Sequence, residues 1–427
     1  MASKSDKKKK RSAESPTRQS KQPKLSTKTT KSRMEFFMGM ANQSLLNQVE
    51  EGSNKNFALS PVSIDVTLSM VAAGSRGPTL ERYLALLGMQ DMDEIKANAS
   101  AVMAAMRGDS GERSDEGGDG PVLCMVNGAW VDNRFPLVPS YKKDVLKGIY
   151  GCDAKTVDFL HQANEVVNEV NSWAEDASKG LIKSLMQPGS LTPKTAIILA
   201  NGLYFKGIWT RDHRFDASLT KKRDFYLLNG DTISVPFMKG HTKYEYGSFD
   251  GFKVLKIPYH SAKLGRKFSM YFFLPHEKVG LQNLLQELHS DSGFSNQYYF
   301  NLNEVRLREV WIPKFDFSYE IDVPKIMNEM GMTFPSIANP EDLSVMMKIG
   351  KGTPSFATTM IQKVVVKVDE KGTKAAAATY AVGMVCGLTR YKPPTKNFIA
   401  DHPFIFMIRE EKSGLVFFTG AVLNPSV

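Results

Sequence analysis

Apolar residues recur at helical spacing through the N-terminal part of the chain. The segment 34–49 has this period, and Ser60 followed by Pro61 predicts a capped helix that ends near Gly74. Further helices are predicted over residues 79–88, 92–106, 164–176, 282–288 and 323–330.

Apolar runs typical of buried strands dominate the rest of the chain. They cover residues 122–132, 195–205, 253–259, 268–275, 304–313, 363–369 and 414–423. Strands and helices do not alternate regularly, which argues against a doubly wound sheet or a barrel, and no internal repeat is visible. We therefore predict an α+β fold, with large mixed or antiparallel sheets and helices packed outside them.

The positive charge of the chain is confined to its N-terminal segment. Residues 1–33 contain twelve Lys or Arg and two acidic residues, whereas the remaining residues contain 43 of each sign. This segment has almost no apolar residues and cannot bury enough surface to offset its ordering entropy. We therefore predict a disordered basic tail over residues 1–33 and a single domain over residues 34–427.

The tail carries a candidate targeting signal. The run KKKKR at residues 7–11 resembles a nuclear import signal, and the alternative is a solvated tail without a receptor. No apolar run is typical of a secretory signal or a membrane span. We expect a nuclear or cytoplasmic protein, with the extracellular space as the alternative, and only weak contact of residues 1–33 with nucleic acid or an import receptor.

Patterns of the common catalytic and metal sites are absent from the sequence. The three cysteines form no CxxC pair, and the seven histidines include no HExxH. There is no GxSxG nucleophile elbow or Walker loop. His402 precedes Pro403 and a buried strand, which favours a structural role, and the acidic glycine-rich segment 108–120 is predicted to be a flexible connection. We expect no enzyme activity, no metal and no cofactor.

Residues 361–404 combine a β-branched strand with a run of small residues. The alanines at 375–378 locally favour a helix, but the strand pattern and Gly372 stand directly before them. Counted backward from the bond between Cys386 and Gly387, one alternate set is small and uncharged: Thr373, Ala375, Ala377, Thr379, Ala381 and Gly383. The other set holds a charge and a large ring: Lys374, Ala376, Ala378, Tyr380, Val382 and Met384. Because side chains alternate between the faces of a strand, the first set could enter a packed sheet without burying a charge.

This segment resembles the reactive-centre loop of serpins, and it is most similar to the plant, serpin-Z-like type. In that family a Glu opens the hinge, Gly, Thr and small residues follow, and the cleaved bond lies seventeen residues from the Glu; here Glu370 leads to Cys386 by that count, with Gly387 next. The resemblance implies a hinge made of Glu370, Gly372, Thr373, Ala375, Ala376, Ala377 and Ala378.

The resemblance also implies a function and a mechanism. It predicts a monomeric inhibitor of serine-type endopeptidases, with papain-like cysteine proteases as further candidate targets. Such an inhibitor is a suicide substrate on a metastable fold: the protease cuts the exposed loop near Cys386–Gly387 and stays covalently attached while the loop inserts into a sheet.

Two other segments resemble serpin motifs. NFALSPVSI at 56–64 and NGLYFKGIW at 201–209 match the region where the central strands of the large sheet part. The resemblance assigns this sheet-opening region to Ser60, Ser63, Asn201, Trp209 and Gln362, with Trp209 at the end where the loop enters.

Several positions depart from the family pattern. Gln362 stands where the family usually has a His, and Gln forms hydrogen bonds but does not titrate. Lys371 and Lys374 replace common acidic residues of the hinge. Cys386 is unusual before a cleaved bond, and Arg390 offers an alternative cut that would lengthen the inserting segment.

Two other functions stay open at this stage. A non-inhibitory serpin acting as a binding protein would keep the fold, but large or charged residues would be expected on the inward hinge face. A nucleic-acid-associated protein would bind phosphate through the tail, without sequence preference and with strong salt dependence.

Overall fold

The structure is a computed structural model that describes residues 27–107, 122–261, 266–289, 297–329, 340–373 and 395–427. This part of the chain contains seven α-helices: α1 (Thr27–Glu50), α2 (Pro61–Ala73), α3 (Gly77–Leu87), α4 (Met92–Arg107), α5 (Ala163–Ala177), α6 (Leu281–His289) and α7 (Val323–Glu329). A π-helical turn covers Tyr141–Lys147.

The described strands form three sheets. The seven-stranded sheet has the order β1 (Phe57–Leu59), β17 (Val416–Val422), β16 (Phe404–Glu410), β9 (Phe268–Pro275), β8 (Phe252–Pro258), β7 (Lys243–Ser248) and β10 (Asn303–Arg306). The four-stranded sheet has the order β15 (Asn397–Ile399), β11 (Glu309–Pro313), β6 (Thr232–Lys239) and β5 (Lys221–Tyr226). The six-stranded sheet, called the main sheet below, has the order β12 (Phe315–Asp322), β13 (Ala357–Val368), β4 (Thr195–Ile208), β2 (Val122–Asp132) and β3 (Asp153–Val157), with β14 (Gly372–Thr373) paired to the end of β4. The predicted α+β architecture of mixed sheets and surrounding helices is confirmed.

Helix α2 forms the centre of the core. It begins as the sequence predicts, because the Ser60 side chain accepts a hydrogen bond from the Ser63 amide at 3.2 Å and Pro61 is the first helical residue. Every residue of α2 is buried, and the helix packs against β17 of the seven-stranded sheet and against β4 and β13 of the main sheet. It therefore connects the seven-stranded sheet with the main sheet.

The predicted tail overlaps the first helix. α1 begins at Thr27, so residues 27–33 are helical and the disordered segment expected over 1–33 is shortened; residues 1–26 lie outside the described residues. The reason is a buried ion pair, in which Arg33 Nε lies 3.2 Å from Asp65 Oδ2 on α2 and Arg33 Nη2 donates to Asn98 Oδ1 on α4. Arg33, one of the charged residues on which the prediction of a solvated tail rests, thus has partners in the core.

The strand predicted over residues 304–313 is two strands in different sheets. β10 pairs with β7, whereas β11 pairs with β6 and β15. At the break, the Leu307 amide donates to the Thr242 carbonyl and the Arg308 amide donates to the Lys396 carbonyl. Backbone partners from two distant loops therefore divide an apolar run that looks continuous in sequence.

Two further expectations concern membranes and metals. Across the described ranges, no helix is long and apolar enough to span a bilayer. No group of three or more His, Cys, Asp or Glu side chains in the same ranges is arranged to hold a metal ion. The acidic segment at 108–120 lies outside them.

Candidate functional site at the boundary between β13 and β4

The two central strands of the main sheet, β13 and β4, run parallel and side by side. Their register places Gln362 next to Asn201, and the antiparallel pairing of β4 with β2 places Asn201 next to Asn127. Three amide side chains therefore lie at adjacent positions across three strands. Together with Ser60 they are called the central polar row below.

Gln362 connects the central polar row to the start of α2. Its Oε1 accepts a hydrogen bond from the Ser60 amide at 2.9 Å, and its Nε2 donates to the Ser60 carbonyl at 3.0 Å. Gln362 is 2 % exposed and Ser60 is fully buried. One neutral side chain thus bonds to both backbone groups of Ser60, whose carbonyl also accepts from the Ile64 amide at 3.2 Å, and burial of the amide without a partner would be costly.

Asn201 connects β4 to β2 within the main sheet. Its Nδ2 donates to Asn127 Oδ1 at 2.7 Å, and Asn127 Nδ2 donates to the Tyr150 carbonyl at 3.0 Å. The sequence motifs did not identify Asn127, although its position as a polar residue within the apolar run 122–132 was a usable signal. Asn201 Oδ1 and Ser63 Oγ are buried and have no hydrogen-bond partner among the described residues.

Trp209 directly follows the last residue of β4. The indole is fully buried and stacks on Tyr259, with 4.5 Å between the ring centroids. Its Nε1 donates to the Asp369 carbonyl at 3.1 Å, and its backbone amide donates to the Lys371 carbonyl at 2.9 Å. Trp209 therefore holds the turn that follows β13.

That turn returns the chain to β4. Asp369 and Gly372 form mutual backbone hydrogen bonds, and β14 then pairs antiparallel with β4, Gly372 with Ile208 and Thr373 with Gly207. Gly372 has a φ of +145°, and a Cβ at this position would lie 2.1 Å from the Gly207 carbonyl oxygen. Only glycine fits this conformation and this close approach. Residues 369–373 with Trp209 are called the hinge end below.

Glu370 is anchored by two side chains that the sequence did not indicate. Lys314 Nζ lies 2.9 Å and 3.1 Å from its two carboxylate oxygens, and Thr220 Oγ1 donates to it at 2.8 Å. Burial opposes ionisation of the carboxyl, but the bonds from Lys314 and Thr220 outweigh it and lower the pKa of Glu370. Burial raises the pKa of the neighbouring Asp369, so the two acids differ in environment.

The structure thus brings part of the sequence-predicted site residues together. Ser60, Ser63, Asn201 and Gln362 meet at the centre of the main sheet, and Trp209 contacts the turn that contains Glu370 and Gly372 at the end of β4. The remaining predicted residues lie outside the described part of the chain: Lys374, Ala375, Ala376, Ala377, Ala378, Cys386, Gly387 and Arg390. His402 is buried and contacts Asp401 and the Pro275 carbonyl, in line with a structural role.

Comparisons with known proteins agree with one another. The model of the Serpin (serine protease inhibitor) family matches residues 39–425. Serpin-ZX of Arabidopsis thaliana is 37 % identical over 373 residues, which cover 87 % of this chain and 93 % of that protein. Serpin-Z10 of the same plant is 39 % identical over 382 residues, covering 88 % and 93 %. The solved structure of Arabidopsis AtSerpin1 in its native stressed conformation superposes with a TM-score of 0.80 at 33 % identity, covering 93 % of this chain and 99 % of that one.

Proposed function

The chain belongs to the serpin family, and on that premise we propose that it inhibits endopeptidases as a suicide substrate. Residues 370–392 are the bait, and serine-type endopeptidases are the first candidate targets, with papain-like cysteine proteases as the second. The hydroxyl or thiol of the protease attacks the Cys386 carbonyl carbon. The bond to Gly387 breaks, the Gly387 nitrogen takes up a proton, and Cys386 stays bound to the protease as an ester or thioester.

The observation that carries the proposal is the direction of β14. The paired residues of β13 and β4 end at Val365 and Tyr204, and β14 then pairs antiparallel with β4 at Gly207. β14 therefore runs back along β4, and an extension of this strand would reach the point where β13 and β4 begin to pair. Insertion there would replace a parallel pairing by antiparallel ones, which are slightly more stable per residue.

The register of β14 supports the assignment of the small, uncharged alternate residues of the hinge to the inward face of an inserted strand. Extending the pairing of Thr373 with Gly207 places Ala375 opposite Phe205, Ala377 opposite Leu203 and Thr379 opposite Asn201. Phe205 and Leu203 face the core shared with α2, whereas Ile198 and Ala200 face the cluster under α5. The small, uncharged set would thus enter the core, and Thr379 would meet the buried Asn201 side chain.

Loop insertion as the inhibitory step is taken from the general mechanism of the family. Insertion would carry the attached protease across the molecule and distort its active site before the ester or thioester is hydrolysed. The binding-protein alternative needs no insertion, and the small inward set of the hinge gives no reason to prefer it.

The test is thermal unfolding before and after a non-target protease nicks the loop. Insertion should raise the melting temperature by tens of degrees, because a new central strand is added to the main sheet. An unchanged melting temperature would contradict inhibition and favour the binding-protein function.

A matched pair of variants sharpens this test. Ala377→Arg places a charge on the inward set and should abolish the rise, while Ala376→Arg on the other set should retain it. For a target protease, wild type and Ala376→Arg should form a complex that survives denaturant, whereas Ala377→Arg should be cleaved without one. Equal behaviour of the two variants would contradict the assignment of faces.

The tail supports a second, separate proposal. Residues 1–33 carry the whole net charge of the chain, which favours weak phosphate or import-receptor contact outside the inhibitory domain. Replacing the basic residues at 7–11 by Gln should lower binding to duplex DNA at low salt and leave inhibition unchanged. DNA binding that survives the replacement would contradict a role for this run.

A further inference from the structure

Three cations surround one indole on the four-stranded sheet. Lys221 Nζ lies 4.9 Å, Arg223 Cζ 4.5 Å and Lys239 Nζ 5.8 Å from the centroid of the Trp311 ring. Lys221 and Lys239 are exposed, Arg223 is half-buried, and Trp311 is 3 % exposed. We call these four residues the Trp311 cluster.

The cluster places three positive charges around one ring. Among the residues that the structure describes, no carboxylate oxygen lies within 4.0 Å of Lys221, Arg223 or Lys239 in an ion pair. The indole face attracts each cation, but the three cations repel one another. Trp311 Nε1 is buried and has no hydrogen-bond partner in the described part of the chain. An anion beside the cluster would relieve the repulsion.

The cluster lies between the two points at which the bait segment joins the described structure. Thr220, which precedes Lys221, donates to Glu370 at the hinge end. On the other side, Trp311 pairs with Ile399 of β15, the first strand after the bait segment. Since both flanks of the bait segment adjoin the cluster, we expect a protease that engages the bait to approach the side of the molecule that carries the cluster.

We propose that the Trp311 cluster is a docking surface for an acidic surface segment of the target protease. The inference rests on the proposed inhibitory function and adds to it a second contact outside the bait. Basic and aromatic residues at a protein interface bind carboxylates, and their field accelerates encounter with an oppositely charged partner. Partner selection would then depend on the charge of the protease surface as well as on Cys386.

A binding experiment tests the cluster without requiring inhibition. The full chain is titrated with a decaglutamate peptide at low salt, and tryptophan fluorescence is followed. The variant Lys221→Gln/Arg223→Gln/Lys239→Gln is compared with Lys142→Gln/Lys143→Gln/Lys183→Gln, which removes the same charge from exposed lysines outside this sheet. We expect the first variant to lose roughly tenfold in affinity and the second to change by less than about twofold.

Equal losses in the two variants would overturn the proposal, since the peptide would then respond to net charge or to the tail. The proposal would also be overturned, in favour of a sulfated glycan site, if Lys221→Gln/Arg223→Gln/Lys239→Gln lost dextran sulfate binding but kept decaglutamate binding. The single variant Lys239→Gln keeps the test available if the triple variant folds poorly.

The second measurement is the rate of complex formation with a protease that passes the inhibition test. The Trp311 cluster variant should slow association and flatten its dependence on ionic strength, while the fraction of protease trapped stays unchanged. An unchanged association rate and salt slope would contradict a role in docking. If no protease is trapped, the proposed function fails, and the decaglutamate titration still decides whether the cluster binds acidic chains.

Discussion

The central polar row and the hinge end hold the same two strands by different chemistry. The central polar row consists of neutral, buried side chains, with Gln362 bonded to both backbone groups of Ser60. The hinge end uses a glycine-dependent turn and the partly exposed ion pair of Glu370 with Lys314. Because buried neutral bonds are insensitive to pH and salt, only the hinge end should respond to either.

The largest effect is expected from a substitution that breaks the central polar row. Gln362→Ala removes the partner of the buried Ser60 amide, leaves the Ile64 amide as the donor to the Ser60 carbonyl and opens a small cavity, so we expect a loss of about 2–4 kcal/mol in the free energy of unfolding. Denaturant unfolding measures it. Gln187→Ala, at an exposed position, is the control and should change stability by less than about 0.5 kcal/mol. Similar small losses in both variants would show that the two bonds to Ser60 contribute little.

A smaller effect is expected at the turn of the hinge end. In Gly372→Ala the new Cβ meets the Gly207 carbonyl at a φ of +145°, so the turn must shift, at a cost of about 2 kcal/mol. Gly352→Ala is the matched control, because Gly352 has a φ of +74° with open space around it and should cost about 1 kcal/mol. Equal losses would show that the contact with Gly207 adds nothing to the backbone preference.

The smallest expected effect is a pH-dependent loss of stability at the hinge end, which the neutral central polar row does not share. The pKa of Glu370 is lowered in the folded protein, so its ionisation stabilises the fold above the unfolded value of 4.5, and this contribution is lost as pH falls through the lowered pKa. Glu370→Gln should therefore cost about 1 kcal/mol or less at pH 7 and approach the wild type in acid. The raised pKa of Asp369 acts in the opposite sense, and since the Glu370 charge contributes to that rise after burial, Glu370→Gln also relieves part of it and reduces the net loss at pH 7.

A double-mutant cycle with Lys314→Met assigns this effect to the ion pair. The two single losses should not add at pH 7, because each variant removes the same interaction. Additive losses, or a Glu370→Gln loss that persists in acid, would show that the Lys314 ion pair is not the source.

Features encoded by neighbouring residues were predictable from the sequence. The start of α2 follows from Ser60 and Pro61, and the Asn201 and Trp209 positions follow from one continuous motif on β4. Strands β5 and β7 were missed because most of their residues are charged or polar, and their apolar residues are too few to stand out without pairing partners.

Partners contributed from distant parts of the chain were not predictable. Asn127 is 74 residues from Asn201, and Lys314 is 56 residues from Glu370. Neither position has a local pattern that names its partner, since a hydrogen bond depends on where two strands are placed and not on the spacing within either one. Asn127 could be noticed as a polar residue in an apolar strand, but Lys314 resembles any other surface lysine.

The amino-acid order alone carries the family, the fold class and the small alternate set of the hinge, because each is a pattern along the chain, whereas the need for glycine at position 372 arises from the approach of the Gly207 carbonyl. The tertiary structure decides which groups bond to Gln362, that Arg33 belongs to the core, and that three cations meet at Trp311. It also supplies the register of β14 on β4, which relates the alternating residues of the hinge to the two faces of the main sheet. Register and long-range pairing arise from the packing of whole sheets, and so no local segment contains them.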